Sequence, residues 1–134
     1  MSELLQVLSI SDGEVFTGQR FEQADIAIEG ERIAAVGASI ERGGGMLDAA
    51  GCYVIPGLVD IHFHGSAGGD ISDGDLEGLH AMGAYEASRG VTAICPATMT
   101  LSEQQLTEAA RAAASYEPAA YESALVGINM EGPF

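Results

Sequence analysis

Apolar and polar residues follow two different patterns along the chain, and the change falls near Tyr53. Before it, short stretches with a period of two predict strands. Leu4 to Ile10 is compatible with a strand, and Ser11-Asp12-Gly13 supplies turn chemistry after it. Ala24, Ile26 and Ile28 alternate with Asp25, Ala27 and Glu29, and Arg32 to Val36 follows Gly30-Glu31. That pattern predicts a hairpin in which Gly30 takes the positive φ of a II′ turn. Glu41 to Gly45 reads as a glycine-rich connection, and Leu47 to Gly51 leads into the next apolar run. A small antiparallel β module is expected over residues 1–54.

From Tyr53 onwards the grammar becomes strand, loop, helix. Val54 to Ile61 is almost continuously apolar around Pro56-Gly57, as suits a strand buried on both faces. Ser72 or Asp73 can cap a helix reaching about Arg89, with Leu76, Leu79, Met82 and Ala87 near one face and Gly90 as its stop. Val91 to Cys95 predicts a second buried strand. Ser102 and Gln105 make an S-x-x-Q capping box, and Leu106, Ala109, Ala110 and Ala113 give the next helix an apolar stripe that ends before Pro118. Ala124 to Met130 is the third predicted strand. Strands separated by helices in this order make residues 55–134 an α/β arrangement with a parallel sheet and right-handed crossovers, either open or closed into a barrel.

Composition narrows the function classes. With 47% hydrophobic residues the chain of 134 can bury a core, which argues against disorder throughout. Five Lys+Arg stand against 20 Asp+Glu, a net charge of −15 that repels phosphate backbones and anionic lipid. Neither nucleic acid nor a membrane surface is an expected partner. The basic residues Arg20, Arg32, Arg42, Arg89 and Arg111 do not cluster in sequence, so an anionic ligand finds no obvious basic patch. Cys52 and Cys95 are far apart and form no C-x-x-C, which fits reduced thiols. The start carries no basic, apolar leader pattern, and no run of roughly eighteen apolar residues occurs, so a cytoplasmic chain is expected.

The sharpest chemical signal is Asp60-Ile61-His62-Phe63-His64-Gly65 at the end of the first buried strand. Side chains at i and i+2 of a strand share a face, so His62 and His64 project together as a pair of imidazole ligands for a zinc-like metal. The bland alternative is a chance pair hydrogen-bonded to backbone or solvent. Glu131, at the same end of the third strand, is a carboxylate able to join that metal or bridge two. Taken alone it reads more readily as a solvated loop acid or a hydrogen-bond partner for nearby backbone. By period two Asp60 shares the histidines' face and either supports them or bonds to the strand end. Gly65 to Gly69 suits a flexible active-site loop better than an anion nest, since it has no lysine and matches no P-loop. His80 lies on or beside a helix's buried stripe and reads as structural, and Cys95 and Met99 read as packing residues.

On these residues the chain resembles a known family. Val54 to Gly65 is similar to the strand that opens the barrel of metal-dependent amidohydrolases, where the two histidines are metal ligands. Gly90-Val91-Thr92-Ala93-Ile94-Cys95-Pro96-Ala97-Thr98-Met99-Thr100 and Gly127-Ile128-Asn129-Met130-Glu131-Gly132-Pro133-Phe134 resemble the second and third barrel strands of N-acetylglucosamine-6-phosphate deacetylases. The family's metal-binding glutamate falls on Glu131. The resemblance implies an α/β chain comprising the first three β/α units of a (β/α)8 TIM-type barrel, preceded by part of a β-sandwich. It implies a divalent metal, zinc or else iron or another divalent ion, and a metal-activated water that removes acetate from an amino-sugar phosphate. It implies one or two metals and a homodimer in the complete enzyme. Family members continue through five more strands that supply two further metal-binding histidines and the proton-shuttling aspartate, and a closed barrel needs about 250 residues. The expectation is therefore an N-terminal segment inactive alone. A hydrolase of cyclic amides or N-acyl amino acids, and a non-catalytic assembly fragment, are the alternatives.

Overall fold

The computed structural model describes residues 7–38, 40 and 45–132. They divide into two compact units, 1–56 and 57–134.

In the first unit, β1 (Val7–Phe16), β2 (Phe21–Glu29) and β3 (Arg32–Gly37) form an antiparallel meander, and β4 (Gly45–Asp48) and β5 (Tyr53–Val54) lie parallel to β1. The sheet is thus mixed rather than antiparallel as expected, because the long β1 leaves its second edge open and the returning chain meets it running the same way. The predicted hairpin is present, with Glu29 opposite Arg32 and Gly30 at φ 59. Ser11-Asp12-Gly13 does not turn the chain. It forms a bulge between Ile10 and Gly13 inside β1, with Asp12 at φ 60 and its N–H donated to Asp25 Oδ1 at 3.0 Å. The same small and polar residues that favour turns also favour positive-φ bulges, which let a strand continue. Val15, Ala24 and Ile26 form the buried cluster, flanked by Ile10, Ile28 and Val54. The expected strand residues 4–6 lie outside the described residues.

The second unit carries a three-stranded parallel sheet in the order β11 (Ala124–Leu125), β9 (Val91–Ile94), β6 (Leu58–Asp60). A short hairpin, β7 (Gly65–Ser66) with β8 (Gly69–Asp70), precedes a 3-10 turn and helix α1 (Leu76–Ser88). Helix α2 (Glu103–Ala114) follows β10 (Ala97–Thr98), which pairs with β12 (Asn129–Met130) in parallel. The second and third predicted strands are each interrupted. Ile94 pairs with Leu125 and Ala97 with Asn129, so two residues on one strand face three on the other, and Pro96, which has no N–H, sits at the slip.

Helix α1 starts later than either predicted cap. Asp70 caps the 3-10 turn, Gly74 at φ 64 breaks it, and Asp75 then caps α1 by accepting from the N–H groups of Glu77 and Gly78. The predicted capping box of α2 is present in both directions between Ser102 and Gln105. Ile71, Leu79, Met82 and Tyr116 form the core, with Phe63, Ala112, Ala113, Leu125 and Ile128 packed against it. Leu76 and Ala110 lie outside it, on exposed positions. Burying side chains of this size contributes about 1.5–3 kcal/mol each. The first strand departs most from expectation, since Leu58 is 50%, Val59 57% and Ile61 68% exposed. Its residues occupy an edge of the sheet with no described layer over them. Among the described residues, no helix is long and apolar enough to cross a membrane.

Candidate metal centre

The segment after β6 is held against the β9–β10 region by backbone bonds from Cys95 N–H to the Asp60 carbonyl at 2.8 Å and from Ala97 N–H to the Phe63 carbonyl at 2.7 Å. Phe63 turns into the core. Its two neighbours in sequence face the other way, so the alternation predicted for a strand operates here although β6 formally ends at Asp60. The His62 and His64 rings stand edge to face, with centroids 5.5 Å apart.

Glu131 follows β12 and reaches both rings. His62 Nε2 and His64 Nε2 each lie 3.5 Å from Glu131 Oε1. One donor atom from each of the three residues can be chosen so that all lie within 4.8 Å of one another. Two ligands about 2.1 Å from a tetrahedral zinc would be roughly 3.4 Å apart, so the nitrogen-to-oxygen spacings match those around such an ion. The other ring nitrogens are engaged elsewhere. His64 Nδ1 lies 2.9 Å from the Ala97 carbonyl and His62 Nδ1 lies 3.2 Å from Asn129 Nδ2. Two nitrogens and one oxygen, partly open to solvent, suit a divalent cation of the zinc type.

The remaining residues singled out from sequence fall into place around this cluster. The Asp60 carboxylate accepts the His62 backbone N–H at 3.0 Å, and so fixes the turn that carries the ring. Gly65 opens the β7–β8 hairpin, where a Cβ would collide with the Gly69 carbonyl. Ala67 at φ 53 and Gly68 at φ 88 form a two-residue turn, so the expected flexible loop is a tight hairpin. Asn129 was not singled out from sequence. The signal was there, since it stands two residues before Glu131 and shares its face on a strand.

His80 does not join the site. Its Nδ1 lies 2.8 Å from Glu122 Oε2, which also accepts from the Ala119 N–H at 3.0 Å and the Tyr116 hydroxyl at 3.3 Å. Burial pushes the Tyr116 phenol up to about 12, helped by the charge of Glu122 and the hydrogen bond to it. Burial raises the Glu122 carboxyl, but the His80 bond and charge, the Ala119 N–H and the Tyr116 hydroxyl outweigh it and hold the pKa below its ordinary value.

No protein-family model matches the chain. Among curated proteins, an N-acetylglucosamine-6-phosphate deacetylase from Lysinibacillus sphaericus is 34% identical over 117 residues, covering 86% of this chain and 30% of the relative. A dihydroorotase from Lactobacillus johnsonii is 36% identical over 81 residues, covering 60% of this chain and 18% of the relative. Among solved structures, N-acetyl-D-glucosamine-6-phosphate deacetylase from Mycobacterium smegmatis aligns with a TM-score of 0.74 at 25% identity, over 95% of this chain and 33% of that one. The chain therefore spans about a third of the length of the deacetylases it matches. Curated and structural neighbours alike point to the N-acetylglucosamine-6-phosphate deacetylases of the amidohydrolase superfamily, and this chain matches their N-terminal portion.

Proposed function

We propose that this chain is the N-terminal part of a zinc-dependent hydrolase that removes acetate from N-acetylglucosamine 6-phosphate. The observation that carries the reading is the meeting of His62 Nε2 and His64 Nε2 at one oxygen of Glu131. On this reading residues 1–54 are a portion of a β-sandwich, and 55–134 are the first three β/α units of a (β/α)8 barrel. Catalytic groups of such barrels gather at the C-terminal ends of the strands. His62, His64 and Glu131 hold the cation. Held by these three residues, a divalent ion would supply Lewis-acid polarisation of the amide carbonyl and would lower the pKa of water towards about 7.

The chain's own residues do the rest of the positioning. The Ala97 carbonyl orients the His64 ring, Asp60 fixes the His62 backbone, and the Gly65–Asp70 hairpin borders the histidine segment, where Ile71 N–H bonds the His64 carbonyl at 3.2 Å. The proton-shuttling aspartate, the remaining ligands and the groups that bind the sugar phosphate come from polypeptide beyond this segment. The complete enzyme is a cytoplasmic homodimer. A second reading, a cyclic-amide hydrolase, is favoured by the dihydroorotase match.

Two measurements test the proposal. Zinc titrated into the chain is expected to bind, and Glu131→Ala is expected to weaken it by more than about 100-fold, beyond what loss of an outer hydrogen-bond partner costs. Extended to the length of its relatives, the chain is expected to hydrolyse N-acetylglucosamine 6-phosphate, while the 134-residue chain alone does not. Hydrolysis of dihydroorotate instead would select the second reading, and activity on neither substrate would reject both.

A further inference from the structure

Hydrogen-bond chemistry makes the two histidines unequal. His64 Nδ1 faces the Ala97 carbonyl, which can only accept, so that nitrogen carries the hydrogen. In the neutral ring Nε2 then holds a lone pair, and it lies on the Glu131 side. The backbone thus sets His64 in the tautomer that a ligand through Nε2 requires.

His62 Nδ1 faces an amide instead, 3.2 Å from Asn129 Nδ2. An N–H donated from Asn129 makes Nδ1 the acceptor and leaves the ring hydrogen on Nε2, where it faces the Glu131 carboxylate at 3.5 Å. That tautomer suits the metal-free chain and cannot ligate through Nε2. A half-turn of the amide presents its oxygen to the same point. The oxygen accepts Nδ1–H, and Nε2 is freed as a lone pair beside that of His64.

The geometry points to Asn129 as the positioning residue of His62, an amide whose two faces select the ring tautomer that excludes a cation and the one that takes it. This rests on the metal-site reading above. The Ala97 carbonyl faces the His64 ring and the Asp60 carboxylate the His62 backbone N–H, whereas the side-chain partner found at His62 Nδ1 among the described residues is Asn129. Asn129 is exposed, so replacing it leaves the core of the unit intact.

The test uses zinc ion alone and two variants. Asn129→Leu keeps the size and removes both hydrogen-bonding faces. Asn129→Asp only accepts, and so fixes Nδ1–H. Histidine nitrogen shifts in the metal-free chain are expected to place the hydrogen of His62 on Nε2 in wild type, on Nδ1 in Asn129→Asp, and on a mixture of both in Asn129→Leu. Zinc affinity by calorimetry is expected to fall about 10–100-fold in Asn129→Leu, the usual cost of losing such a partner, and not to fall in Asn129→Asp. If Asn129→Leu binds zinc as tightly as wild type and keeps the same His62 tautomer, the positioning role is overturned while the metal site stands. If zinc binds neither to the 134-residue wild type nor to the chain extended to the length of its relatives, the metal site falls and this inference with it.

Discussion

At the scale of single residues, the candidate site and the His80 cluster use the same side-chain types in opposite ways. His62, His64 and Glu131 are each a third or more exposed and meet at 3.5 Å, spacings too long for direct hydrogen bonds and open to an intervening ion. His80 and Glu122 meet at 2.8 Å, with the carboxylate side chain only 5% exposed, which leaves no room for one. Sequence made the first legible through the i, i+2 spacing of the histidines, and it set His80 apart. It could not show Glu122, because a partner forty-two positions away is a product of packing alone. The Glu122 cluster carries a pH prediction. Its folded pKa lies below the ordinary 4.5, so the stability it contributes is present above that value and is lost as pH falls through the lowered folded value. Urea unfolding of wild type and Glu122→Gln should therefore show wild type more stable at neutral pH, with the gap closing in acid. A gap that is flat with pH would mean that the carboxylate is not stabilised in the fold.

At the scale of elements, legibility depended on whether a local signal has a single structural outcome. Ser102-x-x-Gln105 has one, and the capping box is present as read. Ser102→Ala should cost about 1 kcal/mol, within the range of 0.5–2 for lost caps, measured by thermal unfolding. An unchanged melting temperature would mean that α2 does not unfold with the rest of its unit. Asp70, Asp73 and Asp75 all sit before α1, and several cap sites in a row let packing choose. Gly74 in the left-handed region ends the 3-10 turn and hands the cap to Asp75. Ser11-Asp12-Gly13 likewise serves equally as turn or bulge, and the choice went to the bulge because Gly13 stays paired with Ala24 on β2. The breaks at Pro96 and before Ile128 were hidden, since an apolar run shows burial and not register.

At the scale of the whole molecule, a long-range repulsion opposes a short-range attraction. The net charge of −15 drives copies apart at low ionic strength. Against it, Leu58, Val59, Ile61, Val126 and Met130 are all at least half exposed, at 50%, 57%, 68%, 63% and 53%. Parallel sheets are ordinarily covered on both faces, and β6 and β11 are edges of theirs. Charge repulsion reaches about 10 Å at 0.1 M salt and about 3 Å at 1 M. Apolar contact is not screened and is strengthened by salts excluded from the protein surface. Self-association of the 134-residue chain should therefore rise with ionic strength, the reverse of what an ion-paired interface would do. Sedimentation velocity between about 0.02 and 1 M salt reads the balance against these screening lengths, with a monomer expected at the low end and dimers or larger species at the high end. Ile61→Glu, which adds charge at the most exposed of these positions, should hold the chain monomeric across the series. Association that weakens with salt, or that survives Ile61→Glu unchanged, would move the contact away from the β6 edge.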